Sequence, residues 1–273
     1  MLNCKTAALI LTYNEEINIK SCIDSLKFVN EIYVIDSFSN DNTVEIAKEE
    51  GATVLQRKFD TYSSQRNFAL MQIPSKIDWV LMFDADERIP INLQKEILLK
   101  INNVKNNVVS LRIRRKDIFL GKWIKRSSGY PTWAPRVFRN GFVKVEREIN
   151  EEYILNGLSE NLNEHFLHYP FSKGIHWWFQ KHNLYSTMEA EKLSLETRNR
   201  FSFFNLFSSD PMIKRKAQKQ LFYRLPFRPN LMFFLLFFVR LGFLDGIAGY
   251  YYCKLRKTYE WMIEIKMKNI DNL

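Results

Sequence analysis

Within its first hundred residues this chain alternates short apolar runs with stretches of helical spacing, and the runs end on polar or acidic residues. Thr6 to Thr12 and Asp78 to Phe83 are almost wholly apolar, the pattern of strands covered on both faces. Glu31 to Ile35 and Ala52 to Gln56 supply two more strands. Between them, residues 17–28 place Ile19, Ile23 and Leu26 on one helical face. Helices are also predicted over 44–50, after the capping-rich Ser39-Asn40-Asp41-Asn42-Thr43, over 61–72, and over 91–101 behind Pro90. Gly51 reads as a helix stop. Strands that alternate with helices of this length predict an α/β fold built on a parallel, doubly wound sheet.

In such a sheet the carboxyl ends of the strands share one edge, where ligands bind. Tyr13-Asn14-Glu15-Glu16 follows the first strand, Asp36-Ser37 the second and Asp84-Ala85-Asp86 the fourth. Each alone reads as turn chemistry, and an isolated Asp-x-Asp reads as a charged turn. Three acid-bearing ends converging on one edge read as a site. Carboxylates are hard oxygen ligands that suit Mg2+ or Mn2+, ions that bind nucleotide phosphates.

Beyond Asn107 the pattern changes. Val108 to Arg114, Arg136 to Phe138 and Phe166 to Tyr169 read as strands among loops rich in Gly, Ser and Pro. A long helix is predicted from Gly174 to about Arg198, then helices broken at Pro211, Pro226 and Pro229. The expected organisation is a catalytic α/β domain over residues 1–197 and a helical appendage over 198–273.

The net charge of +10 belongs to that appendage. Residues 198–273 carry 14 Lys/Arg against 5 Asp/Glu, whereas residues 1–197 carry 26 against 25. The apolar run Leu231 to Val239 is far short of the roughly 20 residues that span a bilayer. Basic charge beside aromatic-rich helices predicts contact with an anionic membrane surface; a subunit interface in a homo-oligomer and a buried core helix are the alternatives. Nucleic acid is not expected as a partner, since the basic residues lie among apolar stretches without a recognition motif. Cys4, Cys22 and Cys253 are scattered, His165, His168, His176 and His182 lack zinc spacing with them, and no signal peptide is evident at the start. A cytoplasmic protein, peripheral on the inner face of the cytoplasmic membrane, is the expected location.

The stretches Leu11-Thr12-Tyr13-Asn14-Glu15-Glu16, Val34-Ile35-Asp36-Ser37, Ser39 to Thr43, Gln65-Arg66-Asn67-Phe68-Ala69 and Asp84-Ala85-Asp86 resemble, in order and spacing, those of family 2 glycosyltransferases. Arg136-Val137-Phe138-Arg139, Asn150-Glu151, Lys181 to Ser186 and Gly242 to Gly246 are similar to the branch that includes lipopolysaccharide core β-1,4-glucosyltransferases. The resemblance implies a GT-A-type, Rossmann-like, mostly parallel sheet flanked by helices. It implies inverting transfer of a hexose, glucose first, from a UDP-hexose to a lipopolysaccharide-core, other glycan or lipid-linked acceptor. It further implies donor contacts from Thr12, Tyr13, Glu15, Asp36, Arg66 and Asp84, with Asp36 accepting the uracil N–H. Asp86 is then the stronger metal ligand and Asp84 the weaker. The base that deprotonates the acceptor falls among Glu146, Glu148, Glu151 and Glu152, with Glu151 first and Glu148 second, although Asn150 stands where the branch has His.

Several residues carry weaker expectations. Arg136 could approach acceptor or diphosphate, Lys181 and Tyr185 could line the acceptor site, and Trp123, Tyr130 and Trp133 could wall the donor sugar. A sugar nucleotidyltransferase would need a Gly-rich phosphate loop after the first strand, which this chain lacks. A non-catalytic membrane scaffold would be expected to lose the acids at the strand ends, and Asp36, Asp84 and Asp86 are all present.

Overall fold

The computed structural model describes residues 4–146, 152–197, 202–208 and 211–271. The chain forms two compact units, one of Met1–Ile118 with Tyr130–Ser172 and one of Phe119–Gly129 with Lys173–Leu273. The division after Ser172 falls before the long helix rather than at 197/198.

The first unit is built on one mixed sheet. Strands β1 (Thr6–Thr12), β2 (Glu31–Asp36), β3 (Thr53–Gln56) and β4 (Trp79–Asp84) run parallel in the order β3-β2-β1-β4. Helices α1 (Ile19–Leu26), α2 (Thr43–Glu49), α3 (Tyr62–Met71) and α4 (Ile91–Asn103) connect or follow them. Side chains of β1 and β4, buried almost throughout, alternate between the two faces with the strand period of two. Ala8, Ile10, Leu81 and Phe83 face a core closed by Ile19, Ile23 and Leu26 of α1 and by Leu93, Ile97 and Ile101 of α4. Ala7, Leu9, Val80 and Met82 face the opposite core with Ala69 of α3. Helices on both faces explain why these strands are apolar at every position but their ends, Thr6, Thr12 and Asp84.

The rest of the sheet is antiparallel at every join but one. After β5 (Glu87–Arg88) come β6 (Val108–Phe119), the short β7 (Lys122–Trp123), β8 (Thr132–Arg139), the hairpin β9 (Val143–Glu146) and β10 (Glu152–Leu155), and β11 (Leu158–His168). The order continues from β4 as β8-β6-β11-β5, with β8 antiparallel to both neighbours and β11 parallel to β6. The doubly wound parallel half is as the sequence predicts; the second half is mixed.

In the second unit, α5 (Gly174–Thr197) packs on α8 (Gly246–Asp271) through Ala190, Leu193 and Ile263. Lys266 of α8 donates from Nζ to Asn183 O, Asn183 Oδ1, Ser186 Oγ and Thr187 Oγ1 at 2.6–2.8 Å. Part of the Lys181 to Ser186 stretch thus holds two helices together. Prolines open helices here: Pro211 starts α6 (Pro211–Arg224) and Pro229 is second in α7 (Arg228–Phe234), where the missing N–H costs nothing.

His182 lies on the buried side of α5. Its ring stacks on Trp178 at 3.8 Å, meets Tyr259 edge-on, and donates from Nδ1 to the Trp178 carbonyl at 2.8 Å. Burial depresses its pKa from 6.5 to about 4. The folded state therefore holds the ring neutral where the unfolded chain takes up a proton. The resulting stability is complete above pH 6.5 and is lost as pH falls toward 4. Melting curves followed by tryptophan fluorescence should show this decline, and His182→Gln should flatten it; an unchanged slope in the variant would refute the assignment.

Candidate active site

The parallel register sets the site. Thr12 pairs with Asp36 and Leu11 with Asp84, so the two acids flank the carboxyl end of β1 at nearly one level. Asp36 is fully buried. Its carboxylate accepts from Thr12 Oγ1 at 2.9 Å, Ser39 N at 2.9 Å, Ser39 Oγ at 2.5 Å and Gln56 Nε2 at 3.2 Å. The partners come from three separate stretches and fix the carboxylate's direction before any ligand arrives.

The loop after β1 is bound to the loop before α2. Asn14 adopts a left-handed φ of 53°, a region Asn visits more readily than most residues, and its Oδ1 accepts from Asn40 N of the other loop at 2.8 Å. Its own N–H donates to Ser39 Oγ, and Glu15 N donates to Thr43 Oγ1 at 2.7 Å. The result leaves Tyr13 exposed at the rim. Glu15 accepts from Asn18 Nδ2 at 2.7 Å. Arg88 ties this loop to the turn after β4, donating to Asn18 O at 2.9 Å and to Ala85 O at 2.6 Å.

That turn carries Asp84, Asp86 and Glu87, and each has a different partner. Asp84 receives Arg66 Nη2 on Oδ1 at 2.9 Å and Arg136 Nη2 on Oδ2 at 3.3 Å. Burial would raise its pKa, but the Arg66 and Arg136 guanidiniums outweigh burial and hold the carboxyl well below the usual range. Glu87 is buried and takes a two-pronged bond from Arg136, Nε to Oε2 at 3.0 Å and Nη2 to Oε1 at 2.7 Å. Arg136, expected near acceptor or diphosphate, is committed instead to these two carboxylates. Arg66, read as a fork for phosphate or base, is buried against Asp84.

Asp86 faces His168. The antiparallel pairing of β5 with β11 puts His168 opposite Glu87, and the parallel pairing of β11 with β6 puts it opposite Asp117. His168 Nδ1 lies 2.6 Å from Asp117 Oδ1, and Nε2 lies 3.5 Å from Asp86 Oδ2. Arg115 Nε in turn lies 2.8 Å from Asp117 Oδ1. Burial opposes charge on this imidazole, but Asp86 and Asp117 outweigh it and push its pKa up to about 9.

Among the described residues, no three His, Cys, Asp or Glu side chains gather into a complete metal cage. The donor set nevertheless fits Mg2+ or Mn2+, ions that take few protein ligands and fill the rest with water and substrate phosphate. Asp86 offers a hard oxygen; His168, oriented by Asp117 on its Nδ1, is held protonated by the two carboxylates and would join Asp86 as a ligand only by releasing its Nε2 proton. Asp84 has both oxygens engaged by guanidiniums.

The candidate bases Glu148 and Glu151 lie outside the described residues. Glu146, at the end of β9, is paired with Lys144 at 3.2 Å. Asn67 of α3 fixes β9 with two bonds to the Val145 backbone, Nδ2 to O at 2.8 Å and N to Oδ1 at 2.9 Å. Tyr130 and Trp133 sandwich the Arg114 guanidinium at 5.9 and 5.5 Å. Lys181 lies over the Tyr185 ring at 5.6 Å on α5. Sequence reasoning missed His168, Asp117 and Glu87. Glu87 directly follows the Asp-x-Asp, and His168 lies within the Phe166 to Tyr169 strand, but only the pairing of that strand with β5 and β6 shows what His168 faces.

The family model described as glycosyl transferase family 2 matches residues 8–162. An uncharacterized glycosyltransferase of Rickettsia typhi is 28% identical over 221 residues, 74% of this chain and 72% of that one. The lipopolysaccharide core biosynthesis glycosyltransferase LpsC of Rhizobium meliloti is 26% identical over 279 residues, 97% of this chain and 96% of that one. Among solved structures, S. aureus TarS 1–349 aligns with a TM-score of 0.43 and 17% identity over 97% of this chain and 92% of that one. Glucosyl-3-phosphoglycerate synthase from Mycobacterium tuberculosis, in complex with Mn2+, UDP and glucosyl-3-phosphoglycerate, aligns with a TM-score of 0.36 and 21% identity over 47% of each chain, less than half of its length.

Proposed function

Since the chain belongs to glycosyl transferase family 2, and is a glycosyltransferase, we propose that it moves a hexose, glucose first among candidates, from a UDP-hexose to a lipopolysaccharide-core or other glycan or lipid-linked acceptor with inversion. The observation that carries this reading is the convergence of Asp36, Asp84 and Asp86 at the carboxyl ends of adjacent parallel strands, with Asp86 against His168. LpsC, similar over nearly the whole chain, supports a lipopolysaccharide-core acceptor.

Each residue then has a task. Asp36 accepts the uracil N–H in place of Gln56 Nε2, the longest of its bonds at 3.2 Å. Tyr13, exposed at the rim, packs on the base, and Thr12 and Glu15 complete the nucleoside wall. Arg66 and Arg136 keep Asp84 ionised and oriented toward the ribose side. Asp86 would hold a divalent ion, joined by His168 once its Nε2 proton is released, and when bound that ion would supply Lewis-acid stabilisation of the negative charge on the departing diphosphate. A carboxylate of the 147–151 segment, Glu151 before Glu148, takes the acceptor's proton as its oxygen attacks the anomeric carbon.

The test is a donor screen with the purified full chain, reading nucleoside diphosphate release. UDP-glucose with Mn2+ or Mg2+ should give release, and a chelator should abolish it. Turnover confined to a GDP-sugar, or turnover indifferent to chelation, would overturn the donor or the metal assignment respectively.

A further inference from the structure

The second unit contains an elbow that includes none of the residues assigned above to donor, metal or base. The segment Arg228–Val239 meets Gly242–Ile270 at 73°. Two glycines make the bend: a Cβ on Gly242 would lie 2.6 Å from the Leu236 carbonyl oxygen, and one on Gly249 would lie 2.2 Å from the Gly242 oxygen. Around the corner almost nothing is buried. Phe238, Val239, Leu241, Phe243, Leu244 and Ile247 are each about two-fifths exposed or more, Leu244 reaching 61%. Contiguous exposure of this kind marks an interaction site rather than ordinary surface.

Cations surround the tip. The loop Phe119–Gly129 of the same unit is fastened to it through Asp245, whose carboxylate accepts from Arg126 N at 2.9 Å, Ser127 N at 2.8 Å and Ser127 Oγ at 2.7 Å. That attachment brings exposed Lys122, Lys125 and Arg126 to the elbow, with the Lys122 ammonium beside Gly246. The Arg240 guanidinium packs against Gly129, where a Cβ would collide with it. Between residues 211 and 259 the only acid is Asp245, already occupied by those three donors.

We infer that this elbow is a monotopic docking surface for an anionic lipid bilayer: its apolar tip enters the acyl–headgroup boundary and its cations take the lipid phosphates. Charge complementarity selects this occupant. A second copy seated on the same patch would set Lys and Arg against Lys and Arg, whereas an anionic surface attracts each basic side chain within a Debye length. Among the described residues no single helix is long and apolar enough to cross a membrane; the pair that passes that test together is bent by 73°, and the cations beside its tip favour a surface position over a crossing.

Removing residues 201–273 would strip α5 of its packing partner, so point variants are the appropriate test. The full chain is sedimented with vesicles of phosphatidylcholine alone and of phosphatidylcholine with phosphatidylglycerol, and its mass is measured by light scattering. It should bind the phosphatidylglycerol vesicles alone, with affinity falling as salt rises. Phe238→Ser/Leu244→Ser should weaken binding by at least about tenfold through lost apolar insertion. Lys122→Gln/Lys125→Gln should weaken it independently, and both variants should keep the parent melting temperature and UDP release. Equal binding by parent and both variants, absence of vesicle binding, or a change in oligomer mass in place of vesicle binding would overturn the inference. None of these readouts needs a sugar, so the donor and acceptor assignment can fail without touching it.

Discussion

Asp86→Ala should lower the rate of cation-dependent transfer by roughly 10³-fold, the scale of losing a main electrostatic stabiliser of a developing anion, while the protein keeps its fold. Two features separate function from stability at this position. Asp86 is the carboxylate aimed at His168, and His168 keeps its shorter bond, to Asp117 at 2.6 Å, when Asp86 is gone. The backbone bond from Tyr169 N to Asp86 O at 2.9 Å is also untouched by truncation. The turn should therefore survive, and the melting temperature should stay within a few degrees of the parent. Mn2+ affinity, read by electron paramagnetic resonance, should fall together with turnover. Parent-like turnover, or lost turnover with unchanged Mn2+ affinity, would remove Asp86 from the metal role.

The parallel half of the sheet was legible because its physics is local. Strands covered on both faces must be apolar at every position, and β1 and β4 are read directly from that. The helices between them bury a face with the 3.6-residue period, as Ile19, Ile23 and Leu26 do. The second half was only partly legible. Two residues carry no period, so β5 and β7 leave no trace in the sequence. β11 was expected only from Phe166, because from Ser159 to His165 the one apolar residue is the buried Leu162. β8 was shortened by Pro135, which sits at a register irregularity in its pairing with β6, a position where a strand tolerates proline.

Strand ends gave Asp36, Asp84 and Asp86 without any knowledge of pairing. His168 and Asp117 required it, since they lie more than eighty and thirty residues from Asp84 along the chain and meet only through the β5–β11 and β6–β11 registers. Arg136 was visible as a basic residue in a strand, but its direction was not. The sequence cannot distinguish a guanidinium that reaches a ligand from one that neutralises a buried carboxylate. Only the 2.7 Å and 3.0 Å bonds to Glu87 decide that question.

Arg136→Met should therefore act first on stability. The substitution leaves Glu87 almost fully buried with, among the described residues, the Asp84 N–H at 3.1 Å as the one donor left to its carboxylate. Breaking a buried pair from one side costs about 3–5 kcal/mol, because the remaining charge is desolvated without compensation. Against a total of roughly 5–15 kcal/mol for a domain, that is a large fraction. The catalytic consequence is smaller, since Asp84 retains Arg66 at 2.9 Å and loses only the longer 3.3 Å contact. Lysine should not restore the parent, as an ammonium cannot supply the two parallel donors that Glu87 receives. Burial already raises the Glu87 carboxyl above its ordinary value of 4.5, Arg136 opposes that rise, and Asp84 adds to it. A raised acid makes protonation favour the folded state: the gain is full below the unfolded value and is lost as pH climbs through the folded one. The variant's deficit should accordingly narrow in acid and widen toward neutrality. Glu87→Gln combined with Arg136→Met should recover much of the loss, because neither charge is then buried alone. Denaturant titrations of the parent, both single variants and the double variant across pH measure the coupling directly, and additive losses would show that the pair does not act as a unit.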